Sequence, residues 1–154
     1  VVNEQPWSDA VVEHGRILAV TDNPVSQALA DLGVMIGREV RILADDSAMV
    51  DLEQVGLRSS DAVVLCDHDH PHRDQLLRLA LTGPAGYVAM LGSRTRAQRT
   101  FGELARELPD EALAKLRVPA GLNIGGKQPG EIALSVLAEI VAFSHGRDGA
   151  PMRR

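Results

Sequence analysis

Aromatic side chains are scarce: Trp7, Tyr87, Phe101 and Phe143 are all there are in 154 residues. Single-stranded nucleic acid is usually held by bases stacked on aromatic rings, so that binding class is disfavoured. The formal net charge of -5 also argues against a general electrostatic affinity for nucleic acid or for anionic lipid. There is one cysteine, Cys66, which excludes an intrachain disulfide and a cysteine-only metal site. No apolar run approaches the roughly 18 residues of a membrane-spanning helix. The opening VVNEQPWSDA lacks the charged-then-apolar order of a secretory leader, so a cytoplasmic location is expected, with neither nucleic acid nor membrane as a partner.

What is present is an alternation of short apolar runs with helical patterns. At 154 residues and 45% hydrophobic content the chain suits a single domain with a real core. Residues 1–15 read as an N-terminal arm, with Trp7 as its candidate anchor, and 147–154 as a flexible tail. Strands are expected at 16–20, 39–44, 61–66 and 87–91, and a short fifth within 119–126 around Leu122 and Ile124. Each apolar run lacks period-two alternation, as expected of strands covered on both faces. Between them, Asn23-Pro24 caps a helix that Gly37 ends, residues 47–60 form a polar connection with one possible helical turn, and Pro71 opens a helix with an Asp74/Arg78 pair. Ser93 caps the next helix, followed by a short one over 110–116. Pro129–Phe143 is the clearest helix, with Ile132, Val136, Leu137, Ile140 and Val141 inward and Glu131, Ser135 and Glu139 on the opposite side. The whole is α/β: a doubly wound parallel sheet, with the strand order 3-2-1-4-5 expected from the two-wound rule.

In such a sheet the loops after the strands line the ligand crevice. Three loops carry chemistry. The first turn, Thr21-Asp22-Asn23, has no glycine to let a pyrophosphate approach the backbone, so NAD(P) is not expected there, and Asp45 and Asp46 read as solvated carboxylates. The segment Gly92-Ser93-Arg94, with Arg96 and Arg99 beyond, puts cations in the first turns of a helix, where they oppose the macrodipole unless an anion sits among them. Asp67-His68-Asp69-His70 with His72 is a polar loop; if extended, its three histidines would face one way and become weak candidates for a divalent metal. Gly121–Gly130 with Gly125 and Lys127 is a further phosphate-facing candidate, without the P-loop pattern. His14 and His145, near the two ends, carry no evident chemistry.

The segments YVAMLGSR (87–94), GLNIG (121–125) and EIALSVLAEI (131–140), together with His68, Asp69 and His70, resemble the Rossmann domain of the XdhC/CoxI family across about residues 16–146. The resemblance is to the C-terminal Rossmann domain; family members usually carry an additional N-terminal domain. It implies a Rossmann-like fold and an accessory role in maturing a xanthine or carbon monoxide dehydrogenase. In that role the molybdenum cofactor (molybdopterin) is held, protected during sulfuration and passed on. It further implies a molybdenum hydroxylase and a sulfur-donating enzyme as partners, with Gly92, Ser93, Arg94, Arg99, His68, Asp69, His70 and Gly125 as cofactor-binding residues. A non-catalytic maturation factor is thus the first reading. An NAD(P)-dependent or cofactor-modifying enzyme is the second, and an interaction module or homodimer partner without ligand the third.

Overall fold

A computed structural model describes residues 5–153; residues 1–4 of the expected arm and Arg154 of the expected tail lie outside the described residues. In chain order the elements are β1 (Ile17–Val20), α1 (Pro24–Met35), β2 (Val40–Leu43), α2 (Ala48–Gln54), β3 (Ala62–Leu65) and α3 (Arg73–Thr82). They continue with β4 (Tyr87–Met90), α4 (Arg94–Leu104), α5 (Asp110–Leu113), β5 (Leu116–Arg117) and α6 (Pro129–Ser144). All strand pairings are parallel, which confirms the α/β, Rossmann-like architecture.

The strand order is β2-β1-β3-β4-β5, not the expected 3-2-1-4-5. Burial explains the difference. β3, Ala-Val-Val-Leu, is buried at every position and takes an interior place between β1 and β4. β2 is only partly buried and carries exposed Arg41, whose Nε donates to Glu39 Oε1 at 2.7 Å, so it suits an edge. The chain therefore reverses direction between β1 and β3, and the crevice of a doubly wound sheet falls at their carboxyl ends.

The sheet divides the core in two. Leu18, Val20, Val63, Leu65, Val88 and Met90 face α2–α5 and meet Leu52, Leu76, Leu77 and Leu104. Ile17, Ala19, Val64, Tyr87 and Ala89 face α1 and α6, against Leu29, Val136, Leu137 and Ile140. Each fully buried leucine here is worth about 1.5–3 kcal/mol over an exposed one.

Several local expectations change. The fifth strand is Leu116–Arg117, and 118–128 is an irregular loop, because three glycines and Pro119 leave it no continuous strand backbone. The short connection 47–60 holds a real helix, α2, anchored by buried Ala48 and Leu52. Arg78 reaches Glu107 at 2.6 Å rather than Asp74, which pairs with its neighbour Arg73 at 2.9 Å. Ser135 and Glu139 do not face outward. Ser135 is buried and Glu139 half-buried, because α6 is covered by the sheet and by the 118–128 loop, while Glu131 and Leu134 are exposed. Trp7, the candidate anchor of the arm, is exposed. Among the described residues no helix is long and apolar enough to cross a membrane.

Candidate functional site

A cavity of about 700 Å³ opens at the carboxyl ends of β4 and β5. One wall is the turn Gly92-Ser93-Arg94; the other is the loop from Pro119 to Lys127, with Ile132 and Ser135 of α6 as its floor. Ser93 is the N-cap of α4, and its Oγ accepts from Arg96 N at 3.1 Å. That bond fixes where Arg94, the first helical residue, leaves the backbone. Arg94 is exposed and, among the described residues, makes no hydrogen bond or ion pair; the same is true of Lys127 on the facing loop. Two free cations on opposite walls of one hollow suit an anionic ligand.

The loop is pinned to α6. Ser135 Oγ donates to Leu122 O at 2.5 Å, Leu122 N donates to Ser135 O at 3.3 Å, and Gly121 N donates to Glu139 Oε1 at 3.3 Å. Gly121 has φ of +97°, and a Cβ there would overlap the Ser135 hydroxyl, so only glycine lets the loop lie this close. Gly125, at φ of +83°, has open space where a Cβ would stand and presents bare backbone to the hollow. Gly126 is pressed against the Glu131 side chain, which puts one carboxylate at the Lys127 end. The unopposed positive charge thus lies at the Arg94 end.

Of the residues singled out from sequence, Gly92, Ser93, Arg94 and Gly125 line this cavity. Arg99 is exposed further along α4 and does not line it. His68, Asp69 and His70 lie together in a separate shallow depression after β3. Arg96 Nη1 donates to Asp69 Oδ1 at 3.2 Å, which ties that loop to α4. Turns at 68–69 and 71–72 break the extended run, so the histidines do not align: His70 is buried, while His72 is exposed. His70 Nδ1 accepts from His72 N at 2.9 Å, and its Nε2 lies 3.6 Å from Asp45 Oδ1 with no hydrogen-bond partner. Among the described residues no cluster of three His, Cys, Asp or Glu is placed to hold a metal ion.

The β1–β3 crevice is filled by the protein itself. Asn23 Oδ1 accepts from Val25 N and Ser26 N at 3.0 and 3.1 Å, and Asn23 Nδ2 donates to Cys66 O at 3.0 Å. The backbone donors a pyrophosphate would use are already taken. Thr21, at φ of +84°, holds a conformation normally left to glycine, and its Oγ1 donates to Asp45 Oδ1 at 2.7 Å. Asp45 is thereby engaged with Thr21.

Ser135 and Glu139 belong to the site although the sequence reading placed them only in the family-like segment and on an outer polar stripe, not among the binding residues. Their spacing of four, in line with Glu131, was the available signal, but it fits an outer polar stripe equally well until the loop is seen to cover it.

The model of the XdhC Rossmann domain matches residues 17–140. Among curated proteins, the uncharacterized protein YqeB of Escherichia coli K12 is 24% identical over 90% of this chain and 29% of its own length. A Bacillus subtilis protein named as a probable xanthine dehydrogenase component is 32% identical over 53% of this chain and 23% of its own length. The chain therefore spans less than a third of the length of these curated relatives. A crystal structure described as a xanthine dehydrogenase from Bacillus halodurans superposes with a TM-score of 0.71 at 23% identity, over 91% of this chain and 45% of that one, a likeness of fold.

Proposed function

The chain belongs to the XdhC Rossmann-domain family, which is associated with xanthine dehydrogenase, and from that premise we propose that it is a non-catalytic accessory factor that holds an anionic pterin cofactor for a molybdenum hydroxylase. The observation that carries this reading is the 700 Å³ cavity with Arg94 free on one wall and Lys127 on the other. Its residues fit a pterin phosphate. Arg94 and the α4 amino end are suited to the phosphate, with two parallel N–H donors available from the guanidinium. Leu122, Ile124 and Ile132 offer apolar surface to a flat ring, and the bare backbone at Gly125 allows close approach. When bound, molybdopterin would supply the redox centre of the recipient enzyme; the residues here bind, orient and shelter it.

Among the described residues, the hydroxyl of Ser135 that lines the hollow donates to Leu122 O and so serves to hold the loop. The proposed partners are the recipient molybdenum hydroxylase and the enzyme that sulfurates its cofactor. The test is a titration with molybdopterin, followed by pterin fluorescence, in parallel with NAD. Saturable pterin binding with none for NAD is expected; saturable NAD binding without pterin binding would defeat the reading.

A further inference from the structure

The two edges of the sheet are built differently. β5 is two residues long, and the chain beyond it runs into the 118–128 loop that α6 holds. β2, at the other edge, has four residues and pairs only with β1. Ile17 N donates to Glu39 O and Thr21 N donates to Leu43 O, both at 2.9 Å, so the backbone groups of 39, 41 and 43 face β1. Successive residues of a strand turn their N–H and C=O groups to opposite sides. Those of Val40 and Ile42 therefore point out of the sheet edge, with no partner among the described residues.

An open edge is a template for a further strand, and proteins that avoid pairing blunt it with proline, a bulge or charge of one sign. The charges at this edge are of opposite sign instead. Arg41 Nε donates to Glu39 Oε1 at 2.7 Å, and both side chains are half exposed. They lie two residues apart, on one face of the strand. If a second copy pairs antiparallel about a two-fold axis at Val40, each Glu39 stands directly opposite Arg41 of the other copy. The two Val40 residues then exchange N–H and C=O bonds through groups that already point outward. Moving the axis one residue along, to Arg41, would oppose like charges, which is unfavourable. Charge thus selects both the occupant and the register. Apolar surface lies alongside: Val34 and Met35, 79% and 82% exposed, end α1 just before this strand, on the face of the sheet to which Val40 belongs.

We propose that β2 is a dimerisation edge, where two copies of this chain pair antiparallel through Val40 and join their sheets into one. The proposal is independent of the pterin reading, because β2 and β5 are opposite edges and pairing leaves the hollow beside β4 and β5 open in both copies. Sedimentation equilibrium of the parent, over a concentration series reaching the millimolar range, should show a monomer–dimer equilibrium. Glu39→Arg and Arg41→Glu, both at exposed positions, should each weaken the dimer about tenfold or more, since either reversal replaces two attractive cross-strand pairs by two repulsive ones. The double variant Glu39→Arg/Arg41→Glu should restore it. An equimolar mixture of the two single variants should also restore it, as a heterodimer; both variants stay net negative, so no overall attraction draws them together. A parent that remains monomeric throughout would overturn the proposal. So would a dimer that neither reversal weakens, which would place the contact on another surface, or a double variant and a mixture no tighter than the single variants.

Discussion

The phenol of Tyr87, fully buried at the start of β4, donates a 2.6 Å hydrogen bond to Glu139 Oε1 on α6. The same oxygen accepts from Gly121 N at 3.3 Å, and Arg117 Nε approaches it to 3.9 Å. The loop that walls the proposed pterin site is therefore held through a carboxylate that the core itself orients. Tyr87→Phe should cost about 1–3 kcal/mol by leaving that half-buried carboxylate short of a donor. It should also lower pterin affinity by loosening Gly121. Urea unfolding and pterin titration of the same variant check both; a loss of stability with unchanged affinity would separate the loop from the core.

Alkali should destabilise the fold through two groups. Burial first, and then the bond to Glu139, raise the Tyr87 phenol well above its ordinary value, and burial pushes the Cys66 thiol up to about 12. Both pKa values are raised on folding, so the stability they confer is fully present below the unfolded values, roughly 8.5 for Cys and 10 for Tyr, and is lost as pH rises past them. Between about pH 9 and 12 the unfolding free energy should fall by about 1.4 kcal/mol per pH unit for each group that titrates in the unfolded chain. Cys66→Ala should flatten the lower part of that fall. Native Cys66 should resist a thiol reagent at neutral pH and react only after unfolding.

Acid should act through Asp61. Burial alone would raise its carboxyl pKa, but hydrogen bonds from the Arg16 side chain, Arg58 N and Arg16 N, with the Arg16 charge, outweigh it and hold the pKa below the usual value. A depressed folded pKa gives stability that is present above about pH 4 and is lost as pH falls through the folded value. Asp61→Ala should cost about 3–5 kcal/mol at pH 7, because it strands the buried Arg16 charge. In the parent, stability should decline on acidification below pH 4; in Asp61→Ala that component should vanish from the pH profile of urea unfolding.

Arg94→Ala should weaken a pterin phosphate by about 1.5–3 kcal/mol, the scale of hydrogen bonds to a charged group. Thermal stability should barely move, since Arg94 is exposed and makes no contact that folding depends on. Arg99→Ala should have a smaller effect on affinity, because Arg99 does not line the cavity. Equal affinities of Arg94→Ala and parent would move the ligand elsewhere.

The first turn should reject NAD as it stands. Asn23→Ala should cost about 1–2 kcal/mol, the loss of a helix cap. Replacing Thr21, Asp22 and Asn23 by Gly-Ala-Gly would free Val25 N and Ser26 N and relax the positive φ at position 21. Any NAD binding should appear only in that triple variant, measured by calorimetry against the parent.

Four of the five strands were legible because they are short, mainly apolar runs and the helices between them start at recognisable residues: Asn23-Pro24, Ser93 and Pro129 all begin helices. Strand order was misread, since it depends on which runs are buried on both faces, and the one local cue, Arg41 within Val40–Leu43 against the wholly apolar Ala62–Leu65, was outweighed by the expected two-wound order. At the candidate site, Arg94 and Gly125 announced themselves by local chemistry. Ser135 and Glu139 did not, because what turns them inward is a loop ten or more residues away with no periodicity of its own.

The parallel sheet, lying between two sets of side chains, also separates two mutational histories. Leu29 and Leu137 answer to one another across α1 and α6, and Leu52 and Leu77 across α2 and α3, yet neither pair touches the other except through strand backbone. Substitutions in the two layers should therefore combine almost additively. The α1–α6 layer carries Tyr87, Glu139 and Ser135, and so the shape of the cavity floor. Lineages could retune what the cavity accepts by redrawing that layer alone, while the other half of the core kept the domain folded.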